Sequence, residues 1–423
     1  MNLNFFIARR IGGKRSSGGK LGKISTIIAT ASVGISIAIM ILAIAIANGF
    51  RKEVKEKASG FNGDITLSSP GVEIVNHLYP IEPLSFIDKI DSLPQVKGVY
   101  PVAYRTALLK NDSQIQGVIF KGVGSGYDME FFGKYLEDGE LPDYTVGQDS
   151  SSIGAVPSDY ILLSRRLASI MDYHVGDKIM AYFVDETVKM RRFTIKGIFN
   201  AQLDELDKSL VIADIRHISN VNGWKNGELS GYELALEEKG SGVLDDCAVA
   251  IEQILYDNTK ESDASVVATT LEERFFVLFD WLHLLDMNVL VILFLMVAVA
   301  GFNMISGLLI MLFESISQIG LLKALGMTDR SVAKIFLIRA SYIVLRGLLA
   351  GSALSMLFCW LQWKYRLISL DPANYFVPYV PIDMDLYTVA AINVISFLLI
   401  MLILVVPCKI ISRVSPSRTI AVE

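Results

Sequence analysis

Residues 24–47 read ISTIIATASVGISIAIMILAIAIA, an unbroken run of apolar and small side chains without a charge. At 1.5 Å of helical rise per residue the run reaches about 36 Å, enough to cross a hydrocarbon core about 30 Å thick. Three more stretches read the same way. Leu284–Phe313 carries Asp286 as its only charge, Ile335–Trp360 contains Arg339 and Arg346, and Leu386–Val406 has none. Between the first and second of these runs, Phe50–His283 has an ordinary soluble composition and is long enough for one or two globular cores. The expected fold is therefore an α-helical membrane protein with four transmembrane helices and a large mixed α/β domain between helices 1 and 2. The 423 residues are 52% hydrophobic, above the soluble range, and the four runs account for the excess. A net charge of −5 argues against nucleic acid as a partner.

The first run is about twice as long as a signal-peptide core. It reads as an uncleaved anchor. Residues 1–23 carry six bases and no acid, and the C-terminal tail adds Lys409, Arg413 and Arg418 against Glu423 alone. The connection between the third and fourth runs instead holds Asp371, Asp383 and Asp385. The positive-inside rule places both termini in the cytoplasm and Phe50–His283 outside. Arg51, Lys52, Lys55 and Lys57 count against that orientation, although Glu53 and Glu56 alternate with them.

The resulting division is 1–23, a cytoplasmic segment; 24–49, the first helix; 50–283, the outer domain; 284–313, the second helix; 314–334, a cytoplasmic connection; 335–362, the third helix; 363–385, a short outer loop; 386–407, the fourth helix; and 408–423, a cytoplasmic tail. Cys247 is the only cysteine of the outer domain, so no intrachain disulfide can brace it. Strand character falls at 64–68, 96–109, 115–121, 179–184, 192–198, 232–236 and 265–269. Helical spacing falls at 83–93, 165–171 and 243–256. The βα order near residue 64 recurs near residue 232. The domain is therefore expected to join 50–125 and 232–283 into a membrane-proximal part, with 126–231 inserted. Strand pairing is not readable from the sequence.

Asn48-Gly49-Phe50, Val175-Gly-Asp-Lys178, Phe193-Thr-Ile-Lys-Gly-Ile-Phe199 and Asp207-Lys-Ser-Leu210 resemble the lipoprotein-releasing permeases of Gram-negative bacteria, the LolC/LolE type. Glu314–Met327, ESISQIGLLKALGM, is similar to the cytoplasmic coupling segment of the wider family shared with the exporter MacB and the division protein FtsX, and Ser415-Pro-Ser-Arg418 fits its tail. Residues 3–11 look like that family's amphipathic helix at the lipid interface, with a basic tail as the alternative. The resemblance implies an ABC-transporter permease in a bacterial inner membrane, paired with a like or unlike second permease and with a separate ATPase. Its cargo would be a lipoprotein, extracted from the outer leaflet into a cavity between the first and second helices of opposite subunits and passed to a periplasmic carrier. A MacB-like exporter and an FtsX-like signal transmitter are the alternatives.

Physically, a permease without a nucleotide site needs a contact through which an ATPase can push. Ile316, Ile319, Leu322 and Leu325 recur at helical spacing, and Gly326 can end the helix in left-handed geometry. The coupling residues implied are Glu314, Ile316, Gln318, Ile319, Gly320, Leu322, Lys323, Leu325 and Gly326; a plain re-entry turn is the alternative. Gln318 stands where the family often has Glu. The carrier contact implied is Phe183, Val184, Asp185, Glu186 and Thr187, in a hairpin that is short and lacks the family's prolines. Asn303 is expected to hydrogen-bond a neighbouring helix, whereas Arg339 and Arg346 share one helix face and either snorkel or serve function. Ser32, Ser36, Ala43 and Ala47 form a small-residue seam suited to close packing. Gly13–Lys20 fails as a phosphate loop, since its lysine is displaced and no strand precedes it. His77, His174, His217 and His283 have no metal-ligand spacing. No cofactor, metal or catalytic group is expected.

Overall fold

The computed structural model describes residues 20–111, 114–144, 157–185, 187–203, 208–224, 227–237, 240–258, 266–371 and 375–411. The expected amphipathic stretch 3–11, Glu186, Asp207 and the tail 415–418 lie outside them. Helix α1 (Lys20–Asn62) leads into β1 (Ile65–Ser68), α2 (Ile87–Asp91), β2 (Val96–Lys110), β3 (Ile115–Val123), α3 (Glu130–Lys134) and β4 (Leu136–Gly139). Next come β5 (Tyr160–Ser164), α4 (Arg165–Met171), β6 (Lys178–Phe183), β7 (Lys189–Phe199), β8 (Leu210–Asp214) and α5 (Ile215–Asn222). Strand β9 (Gly231–Leu236), α6 (Ser241–Asn258), β10 (Val267–Thr270) and α7 (Leu271–Arg274) follow. The chain ends with α8 (Phe276–Glu314), α9 (Ile316–Ala324), α10 (Asp329–Tyr365) and α11 (Leu386–Ile411). Among the described residues, helices α1, α8, α10 and α11 are the four long and apolar enough to cross a membrane, and the chain is a multi-pass membrane protein.

Two compact units result. One comprises the chain up to Lys52, Asp280–Ser369 and the chain from Tyr379 onward; the other comprises Glu53–Phe279 and Leu370–Pro378. In the membrane unit, Val33, Ile37, Met304, Leu308, Val344, Leu348 and Ile400 share one core. Helices α1 and α10 approach at glycines: a Cβ on Gly351 would overlap the Gly34 carbonyl oxygen, and one on Gly34 would fall 3.3 Å from that of Gly347. Gly347-x-x-x-Gly351 is thus a close-packing motif used within the chain. Trp360, Trp363, Tyr365 and Tyr387 are exposed around the end of α10 and the start of α11, as an interfacial aromatic belt requires.

Among the described residues, the soluble unit is built on ten strands. Strands β2, β3, β8, β5, β7 and β6 pair in turn, and β6 returns to β2, so this part closes on itself as a six-stranded ring. Closure removes the free edges that an open sheet of this size would carry. Its core holds Ala107, Phe120, Leu163, Phe183, Phe193 and Val211, and is joined by Leu167 of α4 and Ile218 of α5. Both helices start from side-chain caps, Ser164 Oγ accepting from Leu167 N–H and Asp214 from Arg216 N–H. Strands β10, β1 and β9 extend the sheet from β2 as an antiparallel wing, and α6 lies on it through Leu244, Cys247 and Ile251. The two βα units at the ends of the domain therefore pack together. Strands β2 and β3 belong both to this wing's sheet and to the ring, so the sheet is continuous across residue 125.

Candidate functional site

The connection between α8 and α10 is a short helix with defined ends. Helix α8 stops at Glu314, Ser315 leaves helical geometry, and α9 runs from Ile316 to Ala324. Its end is a Schellman motif: Met327 N–H donates to Leu322 O at 3.1 Å, Gly326 N–H donates to Lys323 O at 2.9 Å, and Gly326 sits at φ +91°. Thr328 then opens α10 in extended geometry.

The side chains of α9 divide into two sets. Ile319 is buried in the membrane unit's core, Gly320 is buried, and Ile316 and Leu322 are half-buried. Gln318 and Ala324 face outward, with Leu321 64% and Leu325 77% exposed. Lys323 folds back instead. Its ammonium meets Asp329 Oδ1 at 2.7 Å and its side chain is nearly covered. It therefore clips the end of α9 to the first turn of α10, where a carboxylate also suits the helix dipole. Glu314 is exposed and is the electrostatic neighbour of half-buried Arg339. The helical spacing missed Leu321, because it grouped α9's apolar residues on one face without showing which of them the bundle claims.

Of the remaining polar groups in the helices, Asn303 donates to Ser32 Oγ at 2.5 Å, joining α8 to α1. Ser36 is buried, and Arg346 is exposed. At the β6–β7 hairpin, Phe183 is buried in the ring core, whereas Val184, Asp185 and Thr187 are exposed. Asp185 is held by Arg105 at 3.2 Å, and Arg105 also donates to Val184 O at 3.0 Å.

The four bases that opposed the orientation each have a partner. Arg51 pairs with Asp286, Lys52 with Asp383 at 3.4 Å and Lys55 with Glu272 at 3.1 Å. Lys57 donates to the Phe376 carbonyl at 2.8 Å.

The end of α1 is seated by a buried ionic group that sequence reasoning missed. The Lys121 ammonium, fully buried, reaches Glu233 at 2.6 Å, Tyr127 Oη at 2.7 Å and the Phe61 carbonyl in the last turn of α1 at 2.5 Å. Tyr104 Oη donates to the other oxygen of Glu233 at 2.5 Å. Burial pulls the Lys121 ammonium below its usual range against the pull of Glu233. Burial, reinforced by Glu233, pushes both tyrosines well above theirs. A lysine alternating with apolar residues on one strand gives no sign of such a role; the signal is only its position in the half of β3 that is buried on both faces.

Two family models match the chain, an FtsX-like permease C-terminal model over residues 290–416 and a MacB-like periplasmic core domain over residues 26–231. The chain is 24% identical to the lipoprotein-releasing system transmembrane protein LolC of Neisseria meningitidis, with 94% of each chain covered. It is 21% identical to the corresponding LolE protein of Haemophilus influenzae, with 100% of each covered. Among solved structures, the periplasmic region of MacB from Actinobacillus actinomycetemcomitans aligns at 12% identity and a TM-score of 0.34, covering 51% of this chain and 91% of that one.

Proposed function

We propose, taking as premise that this chain is a permease of the FtsX/MacB-like superfamily and of LolC/LolE type, that it is the membrane subunit of an ABC transporter that extracts lipoproteins from the outer leaflet of the inner membrane. The observation that carries this reading is the order of the two modules, a MacB-like core followed by an FtsX-like C-terminal part, in a chain alignable with LolC and LolE over nearly its whole length. A separate ATPase binds the outward face of α9, where Gln318, Leu321, Ala324 and Leu325 are free of the bundle. Lys323 holds that face in place through Asp329. Rocking of α9 then moves α8 and α10 together, since its two ends join them. The chain itself hydrolyses no nucleotide. A second permease, like or unlike, completes the transporter and encloses the acyl chains between α1 and α8 of opposite subunits.

In this reading both termini are cytoplasmic and the soluble unit is periplasmic. The six bases and no acid of residues 1–23 support it, and Arg51, Lys52, Lys55 and Lys57, which count against it, are each held by a partner in the folded chain. The carrier is received at the β6–β7 hairpin through Val184, Asp185 and Thr187. Phe183 supports the hairpin from inside the ring.

The test is purification of the complex from native membranes, followed by lipoprotein release from reconstituted proteoliposomes on ATP addition. Co-purification of an ABC ATPase and ATP-dependent release of a triacylated lipoprotein are expected. Release of none, with ATP turnover intact, sinks the assignment.

A further inference from the structure

The loop between α10 and α11 does not stay with the helices it connects. Leu370–Pro378 is part of the soluble unit, while Ser369 and Tyr379 on either side of it are part of the membrane unit. The loop's base is a small antiparallel ladder: Ser369 pairs with Tyr379, Val380 N–H donates to Ile368 O at 3.1 Å, and Leu370 N–H donates to Pro378 O at 2.9 Å. Gln362, buried near the end of α10, clamps that base from within the membrane unit. Its amide accepts from Ile368 N–H at 3.0 Å and donates to Ile368 O at 3.3 Å and Val380 O at 3.2 Å.

The loop's tip is held just as specifically. Phe376 takes left-handed geometry, φ +60°, which a bulky residue keeps only when its surroundings hold it there. Its ring packs on the cluster of Phe61, Phe132 and Phe199, and Val377 is 1% exposed. Its carbonyl accepts from Lys57, a lysine on the last turns of α1 that is itself 1% exposed. The Lys57 ammonium also lies 5.6 Å from the centre of the Tyr135 ring. A buried ammonium aimed at a loop carbonyl is costly to desolvate and has no bearing on fold class. It fixes one loop on one surface.

We propose that the loop residues 370, 371 and 375–378 form a strap that ties the third and fourth membrane helices to the soluble unit, with Gln362 fixing its base and Lys57 its tip. The strap gives the soluble unit a tether independent of its own two chain connections, α1 and α8. Displacement of α10 and α11 enters the unit through it. Lys57 is a positioning residue in this device. The inference rests on the function proposed above only for what the tether serves.

The test uses the full chain with its ATPase, in a background with Cys247, Cys359 and Cys408 changed to Ala. Val377→Cys reports the seat of the strap by maleimide labelling in detergent, where the side of the membrane is immaterial. Slow labelling is expected relative to Leu78→Cys, an exposed position of the same unit, and Lys57→Met should speed it about tenfold or more by stranding the Phe376 carbonyl. A slack variant carries Gly-Gly-Ser both between Ser369 and Leu370 and between Pro378 and Tyr379. The equal inserts keep each ladder pair opposite its partner. The thiol of Val377→Cys should therefore stay protected while release of a fluorescent triacylated lipopeptide per ATP hydrolysed falls several-fold.

Labelling of Val377→Cys as fast as Leu78→Cys, with no inserts present, overturns the seated strap. Normal release by the slack variant, with the Val377→Cys thiol protected, overturns transmission through it. If the chain without inserts hydrolyses ATP but releases no lipopeptide, the lipoprotein reading fails on its own. The strap is then read from ATP turnover, which the slack variant must alter, and unchanged turnover overturns it.

Discussion

Leu325 and Lys323 are two positions apart and do opposite things. Leu325, just past the end of α9, is 77% exposed, whereas Lys323 is turned back onto Asp329. Burial of a leucine against a partner is worth roughly 1.5–3 kcal/mol, and an aspartate there would add the cost of an uncompensated carboxylate. Leu325→Asp should therefore weaken association with the ATPase about a hundredfold, as read by co-purification, with the thermal unfolding of the chain unchanged. Equal ATPase recovery with the variant would reduce α9 to an ordinary turn. That such a helix exists was legible from Gly326 and the apolar spacing; its outward face was not, because a helix lying on a bundle is apolar on two sides and periodicity does not rank them. The Lys121–Glu233 pair is a second residue-scale case. Removing one member of a fully buried pair costs about 3–5 kcal/mol, whereas replacing both by apolar groups costs far less. Lys121→Met should lower the stability of the soluble unit by about that amount, and Lys121→Met with Glu233→Met should recover much of it. Additive losses in denaturant unfolding would show that the two charges are not coupled.

Among elements, the long ones were readable and the short central strands were not. Helix α1 announces itself by length, and β2 and β7 by alternation. Strands β5 and β8 escaped because Tyr160-Ile-Leu-Leu-Ser and Leu210-Val-Ile-Ala-Asp are brief apolar runs, buried almost throughout and paired on both sides, so no polar face betrays the period. Without them the closure of the ring is not readable from the sequence. The 83–93 spacing yields only the short α2, whose apolar residues, Ile87 and Ile90, serve the wing's core. Helix pairing was likewise hidden. Gly34 of α1, which lies outside the small-residue seam read from the sequence, is spent on α10 within the same chain. Gly351→Leu places a Cβ and more against the Gly34 backbone, where neither helix can yield without separating. It should destabilise the membrane unit by about 1–3 kcal/mol, seen as a lower unfolding temperature in detergent. An unshifted transition would mean that the two helices have room to spare.

At the scale of the whole molecule, the proposed function depends on which side of the membrane holds the soluble unit. Residues 1–23 carry six bases without an acid, a bias that favours the cytoplasmic side for the first segment. The opposing bases, Arg51, Lys52, Lys55 and Lys57, are each engaged by a carboxylate or a carbonyl from distant parts of the chain. In the proposed orientation the two chain connections of the soluble unit and the strap all meet the membrane on one side, while α9 and both termini meet it on the other. Tyr256→Cys, at an exposed position on α6, and Ser17→Cys, each introduced singly, should separate these faces in intact cells whose outer membrane has been permeabilised. A membrane-impermeant maleimide should label the Tyr256→Cys variant and leave the Ser17→Cys variant unmodified until the inner membrane is opened. The reverse pattern would put the soluble unit in the cytoplasm, strand α9 on the side without ATP, and remove the physical basis for coupling.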